Sequence, residues 1–154
     1  MGQDGGKLIA ENRKAYHEFH LLERLEAGIA LTGTEIKSLR LGQVSLREAF
    51  ARIDDGEIWL YNAHIAPYTH GNRFNHEPLR RRRLLLHKKE IMRLFGKTRE
   101  KGYVLVPTKL YWKGDWAKIE LALGQGKKLH DKRETIVGRE HQREMQRALK
   151  TSTR

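Results

Sequence analysis

Two short hairpins constrain what this chain can fold into. In residues 49–53 and 58–61, apolar side chains recur at every second position, and Asp55-Gly56 separates the two runs. Asp-Gly between alternating runs is the strongest short signal for a two-residue β-hairpin. Residues 103–112 and 117–123 form a second alternating pair. The sequence therefore predicts a mainly β domain of at least five strands, and a small closed antiparallel barrel would hide its sheet edges.

A short helix is predicted between the first strands. Thr32 and Glu35 have the Thr-x-x-Glu spacing of a capping box, so the helix is expected to begin there and to end before Gly42. Positions three apart share a face of such a helix. The inward pair would be Ile36 and Leu39, and the outward pair Lys37 and Arg40.

Further elements follow from the same kind of pattern. Residues 17–31 fit a long strand, although the first part of this run also fits a helix. The second strand of the first hairpin is expected to continue through Ile65 to Pro67, before a polar loop at 70–78. A helix is predicted over 87–95, with Gly96 as its C-terminal stop.

The character of the chain changes at Gly126. Strand-like alternation precedes this residue, and charged residues dominate after it. We divide the chain into a disordered N-terminus (1–10), a folded domain (11–126) and a basic tail (127–154). On a helical wheel the tail cations form one stripe, which contains Lys132, Arg139, Arg143, Arg147, Lys150 and Arg154.

The tail is a weak helix by itself. Arg139, Arg143 and Arg147 repel one another at i,i+4 spacing, and Gly138 costs about 1 kcal/mol relative to alanine. A polyanion would remove the repulsion. We therefore predict that the tail is disordered when free and helical when bound to RNA.

The charge of the chain favours a polyanionic partner. There are 31 Lys and Arg against 19 Asp and Glu, for a formal net charge of +12 at pH 7. Nucleic acid is favoured over membrane, since no run approaches the ~20 apolar residues that span a bilayer. The absence of cysteine excludes disulfides and thiolate zinc sites and fits a reducing cytoplasm. The N-terminus lacks an apolar signal region, so export is not expected.

The densest positive stretch of the folded domain runs from Arg80 to Lys101, with ten Lys or Arg against two Glu. Arginine suits phosphate through its planar fork of donors, and four consecutive arginines favour RNA contact over a merely solvated face. For Lys37 and Arg40 the two interpretations are even. The predicted cationic RNA contacts of the domain are Lys37, Arg40, Arg80, Arg81, Arg82, Arg83, Lys88, Lys89 and Lys97.

The aromatic residues and the histidines are weighed separately. Core packing is favoured over base stacking for Trp59 and Trp112, whereas Tyr61 and Trp116 fit both roles equally. The histidines at 17, 20, 64, 70 and 76 invite a metal interpretation, but no cysteine joins them and their surroundings resemble loops. We predict no metal site.

Four longer blocks resemble the SsrA-binding protein family (small protein B, SmpB). These blocks are Glu26–Arg40, Gly71–Pro78, Leu84–Ile91 and Gly126–Lys128, the last followed by Asp131-Lys132-Arg133. The resemblance extends over about residues 11 to 150. Several long blocks in the right order are more specific than one short motif.

The resemblance implies a bacterial translation factor with a β-barrel of the oligonucleotide-binding (OB) type and flanking helices. Such a factor binds the tRNA-like domain of transfer-messenger RNA and brings it to ribosomes stalled without a stop codon. Its tail would occupy the empty decoding region and the mRNA path, chiefly against small-subunit ribosomal RNA. Elongation factor Tu would be a partner through the shared RNA complex. A monomer without cofactor or catalytic activity is expected.

The resemblance also implies roles for particular residues. Asn12 and Glu26 match positions that hold the RNA, and we include the adjoining Arg13 and Lys14 in that surface. Gly126, Lys127 and Lys128 match the hinge between domain and tail. The start of the tail that faces small-subunit RNA is His130, Asp131, Lys132 and Arg133, and the later cations Arg139, Arg143, Arg147 and Lys150 would follow the mRNA path.

This chain departs from the family pattern at a few positions. Gln125 stands where relatives often have another lysine, which removes one phosphate contact. Gly138 and the polar His141 interrupt the tail. These two residues lower the helicity expected of the free tail and remove apolar contacts.

Two other functions fit the residues alone. A structural ribosomal or general RNA-binding protein would share a basic barrel and tail, and it would co-purify with all ribosomes in stoichiometric amounts. An RNA-cleaving enzyme would use His76 with Glu77, or His130 with Asp131 and Lys132, as acid, base and charge stabiliser. Neither set has a third element that the sequence reveals.

Overall fold

A computed structural model of the chain describes residues 7–70, 75–100 and 102–127. Within these ranges the chain is mainly antiparallel β with few helices. The helices are α1 (Arg13–Glu18), α2 (Gly33–Arg40) and α3 (Lys88–Thr98). The strands are β1 (Lys7–Glu11), β2 (Phe19–Ile29), β3 (Val44–Ser45), β4 (Phe50–Asp54), β5 (Glu57–Tyr61), β6 (His64–Ile65), β7 (Arg82–Leu85), β8 (Tyr103–Lys113) and β9 (Trp116–Gly126).

Seven of these strands form one sheet in the order β1-β8-β4-β5-β7-β2-β9. Each of its pairings is antiparallel. Strand β9 also pairs with β8, from Tyr103↔Gln125 to Lys113↔Trp116. The path of pairings from β8 through β4, β5, β7, β2 and β9 therefore returns to β8. Strands β3 and β6 form a separate short pair.

The two predicted hairpins are confirmed. Asp55 and Gly56 have φ values of 55° and 77°, the left-handed conformation that a type I′ turn requires at both central residues. The strands beside them pair in register from Asp54↔Glu57 to Phe50↔Tyr61. In the second hairpin, Lys113 pairs with Trp116 around a turn in which Gly114 has a φ of 61°.

The predicted capping box at the start of α2 is also confirmed. The Thr32 hydroxyl accepts a hydrogen bond from the Glu35 backbone N–H at 3.4 Å, and the Thr32 N–H donates to Glu35 Oε1 at 2.8 Å. Leu39 is fully buried, as expected, whereas Lys37 and Arg40 are exposed. This helix therefore packs with one face inward and presents its cations to solvent.

Side chains that alternate along the strands build the core. Its largest fully buried apolar members are Leu39, Leu46, Ile58, Leu60, Ile65, Leu84, Leu94, Leu105, Leu110, Ile119 and Leu121. A smaller cluster under α1 joins Ala15, Val106 and Ala122, with Phe19 and Leu21 packed against it. Helix α1 thus covers part of the outer face of β8 and β9.

Several predicted boundaries were wrong. Residues 7–10 were expected to be disordered, but they belong to β1, because β1 gains hydrogen bonds along β8 from Lys7↔Trp112 to Glu11↔Lys109. The strand expected at 17–31 starts at Phe19, after α1. The strand expected to reach Pro67 ends at Tyr61, because Asn62 has a φ of 62° and interrupts the extended backbone.

Two further corrections concern the segment after residue 80. The sequence did not predict β7, because four consecutive arginines hide the alternation along this strand. Helix α3 does not stop at Gly96 but continues to Thr98, and the Arg99 N–H donates to Phe95 O at 3.2 Å. Of the helices in the described ranges, none is long and apolar enough to cross a membrane.

Candidate RNA interface

Glu26 is the centre of a polar cluster that joins β2 to β8. Its carboxylate accepts hydrogen bonds from the Tyr111 hydroxyl and from Lys113 Nζ, the latter at 3.2 Å. The hydrogen bond from Tyr111 lowers the pKa of Glu26 below its ordinary value, against the opposing effect of partial burial, and Lys113 lowers it further. The side chains of Glu26 and Lys113 are 33% and 49% exposed. An ionised carboxylate, a phenol and an ammonium group therefore meet at the surface.

Other charged side chains extend this cluster along β2 and β9. Glu26 pairs across the strands with Glu120, whose carboxylate accepts a hydrogen bond from the Thr108 hydroxyl. Arg24 Nη1 lies 4.0 Å from Glu120 Oε2, and its guanidinium lies 5.4 Å from the centroid of the Tyr16 ring. The outer face of β2, β9 and β8 thus carries both positively and negatively charged side chains, which donate and accept hydrogen bonds.

The cations of α2 follow this part of β2 closely in the sequence. Helix α2 follows β2 after a short connection, and its Arg40 lines a cleft with Trp112 and Gly114, the residues on either side of Lys113. Lys37 Nζ is 5.4 Å from the centroid of the Tyr68 ring, and the ring of His70 meets that of Tyr68 edge-on at 5.4 Å. The exposed Lys37 and two aromatic rings therefore lie beside one another.

His76 anchors the loop that carries Tyr68 and His70. Its Nδ1 is 2.9 Å from Thr34 Oγ1, and its Nε2 is 2.8 Å from Ile65 O. Both ring nitrogens are thereby engaged in holding the loop to α2 and β6, which disfavours His76 as a free acid or base for RNA cleavage. No group of three or more His, Asp or Glu placed to hold a metal ion was found in the described part of the chain.

Arg82 was predicted to contact RNA, and this prediction was wrong. Its side chain is 0% exposed. The guanidinium donates to Glu35 Oε2 at 2.5 Å, to Ala63 O at 2.7 Å and to Pro78 O at 3.1 Å. Because side chains alternate along a strand, β7 directs Arg82 inward and Arg83 outward.

Arg80 shares the same buried carboxylate. Its Nη2 and Nε donate to Glu35 Oε1 and Oε2 at 2.6 Å and 3.0 Å, and its side chain is one-third exposed. Burial by itself would raise the pKa of Glu35, but the hydrogen bonds from Arg80 and the Thr32 backbone and the charge of Arg82 lower the pKa below its ordinary value. Of the four arginines, Arg81 and Arg83 are the two that are exposed.

Asn12 has a structural role in this chain. It is buried, its Nδ2 donates to Pro107 O at 2.9 Å, and its Oδ1 accepts from the Ala15 N–H at 3.3 Å at the start of α1. Both polar atoms of Asn12 therefore hydrogen-bond within the fold, and its role in holding the RNA stays a prediction. Arg13 beside it is exposed, and Lys14 Nζ bonds Glu48 Oε1 at 2.7 Å.

The tryptophans divide between the core and the surface. Trp112 packs against the core, as expected. Trp59 was also assigned to the core, but it lies on the outer face of β5, because its neighbours Ile58 and Leu60 occupy the inward positions. The guanidinium of Arg81 lies 4.0 Å from the centroid of the Trp59 ring. Trp116 is largely exposed.

The remaining predicted cations lie on α3. Lys88, Lys89 and Lys97 are exposed on α3, whose last turn lines a cleft with Tyr103. Tyr103 is eight positions before Tyr111 on β8, or roughly 25 Å along a strand. The structure thus separates the predicted body residues into distinct groups rather than one patch.

The chain leaves the sheet at this α3 end. Gly126 is the last residue of β9, and its N–H donates to Gly102 O at 3.2 Å. Lys127 follows it. The predicted tail contacts from Lys128 onward lie outside the described residues.

Sequence reasoning missed Tyr111 and Lys113 as members of the cluster. Tyr111 lies on the predicted strand 103–112, whereas Lys113 was expected in the turn; because β8 extends to Lys113, the two side chains share a face. Their proximity to Glu26 was not visible, because it depends on the pairing of β9 with both β2 and β8.

The fold and this surface define a basic, mainly antiparallel β protein whose exposed face resembles a nucleic-acid interface. The chain belongs to the SmpB protein family, whose model matches residues 9–151. It is 67% identical over 144 residues to the SsrA-binding protein of Carboxydothermus hydrogenoformans, covering 94% of this chain and 97% of the relative. It is 60% identical over 148 residues to the SsrA-binding protein of Pelotomaculum thermopropionicum, covering 96% and 97%.

A solved structure is also similar to this chain. A chain described under "tmRNA-SmpB: a journey to the center of the bacterial ribosome" matches with a TM-score of 0.67 and 49% identity. The match covers 82% of this chain and 93% of that chain.

Proposed function

We propose that this protein binds the tRNA-like domain of transfer-messenger RNA and delivers it to stalled ribosomes for trans-translation. The observation that carries the proposal is the Glu26 cluster beside the cations of α2. The family match and the relatives named SsrA-binding protein support the choice of RNA. The similar chain in a tmRNA–SmpB structure of the bacterial ribosome supports the ribosome as the second partner.

The chemistry of the cluster suits folded RNA. Double-stranded RNA is recognised through its shape, its phosphates and its 2′-hydroxyl groups, and unpaired loops through their base edges. The ionised Glu26 is an acceptor for a 2′-hydroxyl or a base amino group, and Tyr111 holds this carboxylate in place. Lys113, Lys37 and Arg40 supply positive charge for phosphates. Recognition of a tRNA-like shape needs both kinds of contact.

The tail performs the second step in this proposal. The chain leaves the sheet beside Gly102, at the opposite end of β8 from Lys113, so RNA held at the Glu26 cluster leaves the start of the tail accessible. The tail, from Lys127 onward, becomes helical in the empty decoding site and the mRNA channel, against small-subunit ribosomal RNA. Elongation factor Tu joins through the shared RNA complex.

We also infer that residues 11–126 form a closed barrel of the OB type. The inference is supported by the path of strand pairings that returns to β8 and by the core that fills the space between those strands. The free protein is a monomer in this proposal. Catalysis has no part in it.

A binding titration tests the proposed function. The full-length protein and a truncation after Gly126 are each titrated at fixed salt with the tRNA-like domain and with an ordinary tRNA. We expect both forms to prefer the tRNA-like domain to a similar degree. Equal affinity for the two RNAs would instead favour a general RNA-binding or ribosomal protein, and loss of preference on truncation would place recognition in the tail.

A further inference from the structure

Planar aromatic and guanidinium side chains lie in a row on the outer face of β4 and β5, together with that of the residue before β7. We name Phe50, Arg52, Trp59, Tyr61 and Arg81 the β4–β5 face. In register, Phe50 pairs with Tyr61 and Arg52 pairs with Trp59. The alternate residues of these strands are buried in the core, so the five side chains point outward together.

The rings and guanidinium groups of this face lie against one another. The rings of Phe50 and Tyr61 are stacked, with centroids 5.3 Å apart and planes inclined by 11°. The Arg52 guanidinium lies 4.8 Å from the Tyr61 centroid, and that of Arg81 lies 4.0 Å from the Trp59 centroid. Arg52 and Arg81 donate to the Tyr61 hydroxyl, at 3.5 Å and 3.4 Å respectively. The arginine planes are thereby oriented before any ligand arrives.

The charge of the surrounding surface favours an anionic ligand. Arg81 pairs with Asp54 at 3.5 Å and Arg83 pairs with Glu57 at 3.1 Å, and all four of these side chains are about half exposed. Together with Arg52, this surface carries three arginines against two carboxylates. Ion pairs this exposed contribute little to stability, so a phosphate competes for the arginines at small cost.

The arrangement of the side chains, rather than their composition, argues for nucleic acid. Aromatic residues and arginine are enriched at protein interfaces as well, but here two guanidinium groups lie over two aromatic rings along one sheet. Aromatic rings and arginine planes arranged along a sheet are the surface on which unpaired bases stack. Each base that stacks in this way contributes about 1–3 kcal/mol.

We propose that the β4–β5 face binds unpaired RNA nucleotides, whose bases stack on the Arg81–Trp59 pair and the Arg52–Tyr61 pair. This inference rests on the proposed function in that the partner is RNA. The face is separate from the Glu26 cluster. Strand β4 meets β8 at Ala51↔Leu105, six positions before Tyr111, and β5 pairs with neither β2 nor β8. The protein therefore has a stacking surface in addition to the surface that holds the tRNA-like shape.

The test uses the full chain and an oligoadenylate of about twelve nucleotides with 2-aminopurine at internal positions. Stacking quenches the fluorescence of 2-aminopurine. The main variant is Arg81→Lys, which keeps the charge but removes the planar group, and its matched control is Arg83→Lys. We expect Arg81→Lys to weaken binding about tenfold and to lose most of the quenching, with an unchanged salt slope, because no charge is removed. The control should behave as the wild type.

A second variant removes an aromatic ring. Tyr61→Leu should also lose affinity and quenching. If its melting temperature falls steeply, the loss reflects unfolding, and Arg81→Lys alone tests the proposal. Affinity and quenching of Arg81→Lys equal to those of Arg83→Lys would overturn the proposal, and the face would then be a protein surface or a purely structural one. Titration of the same variants with the tRNA-like domain separates the two proposals. A chain that shows no preference for that domain contradicts the proposed function, whereas the oligoadenylate result still decides the stacking.

Discussion

Arg82 and Glu35 form a fully buried ion pair that joins β7 to the first turn of α2. Arg82 Nε lies 2.5 Å from Glu35 Oε2, and neither side chain is exposed to solvent. A buried ion pair is tolerated when further hydrogen bonds satisfy both partners. Arg80 and the Thr32 N–H donate further hydrogen bonds to the Glu35 carboxylate. The carbonyls of Ala63 and Pro78 accept hydrogen bonds from the Arg82 guanidinium. The pair thus fixes the segment that leads to the exposed Arg81.

Removing one partner of this pair should destabilise the protein strongly. Arg82→Met removes the side-chain donor to the Ala63 carbonyl and leaves Glu35 with Arg80 as its remaining arginine. The Pro78 carbonyl keeps the Ile65 N–H as a donor. We expect the free energy of unfolding to fall by about 3–5 kcal/mol, measured by urea denaturation followed by circular dichroism. Arg83→Met is the matched control on the outer side of β7, and a surface change of this kind should stay within about 0.5 kcal/mol. Equal losses for the two variants would contradict a structural role of the buried pair.

The same carboxylate should make the protein sensitive to acid. The pKa of Glu35 is lowered from the ordinary value of 4.5, because the hydrogen bonds and charges around it outweigh its burial. A carboxyl with a lower pKa in the folded state contributes stability that is present above its unfolded pKa and lost as the pH falls through its folded pKa. Below pH 4.5, the free energy of unfolding should therefore fall more steeply for the wild type than for Glu35→Gln. Parallel pH profiles of the two proteins in urea denaturation would show that Glu35 is not responsible.

The Tyr111 hydroxyl should matter for RNA binding more than for stability. Tyr111→Phe removes the hydrogen bond that contributes most to the low pKa of Glu26, so this pKa should rise toward its ordinary value. The Glu26 carboxylate then lacks the hydroxyl that holds it in place, so we expect affinity for the tRNA-like domain to fall about tenfold, which corresponds to about 1.4 kcal/mol. Carboxyl NMR titration and RNA binding measure the two effects, with Tyr103→Phe as the control. Weaker binding with no change in the Glu26 pKa would mean that Tyr111 contacts RNA directly.

The start of the tail should act after RNA capture. Asp131→Ala, or Lys132→Ala combined with Arg133→Ala, changes residues that follow Gly126 and leaves the Glu26 cluster intact. We therefore expect binding of transfer-messenger RNA to stay within about twofold, whereas tagging of stalled products is lost. The double variant removes positive charge opposite ribosomal phosphates. Asp131→Ala removes the carboxylate expected to cap the start of the tail helix. Binding assays and a reconstituted tagging reaction measure these two effects. A parallel loss of both activities would assign RNA capture to the tail as well.

Much of the local structure was predictable because its causes are local. The capping box of Thr32 and Glu35 and the turn at Asp55-Gly56 depend on a few adjacent residues, so their spacing predicted them. The cations Lys37 and Arg40 were likewise placed outward by helical spacing. The strand β7 was missed, because alternation among four arginines cannot be seen in residue types alone.

What the sequence by itself determined was the mainly β composition of the body, its two hairpins, its net positive charge and, through several long blocks, its family. What only the tertiary structure decided was which polar residues are available to a partner. Arg82 and Asn12 are taken into the fold, because buried carbonyls and a carboxylate require donors that strands distant in sequence supply. Tyr111 and Lys113 are brought to Glu26, and Trp59 is turned outward under Arg81. These relationships join residues up to 95 positions apart, and they depend on how the whole sheet packs around its core.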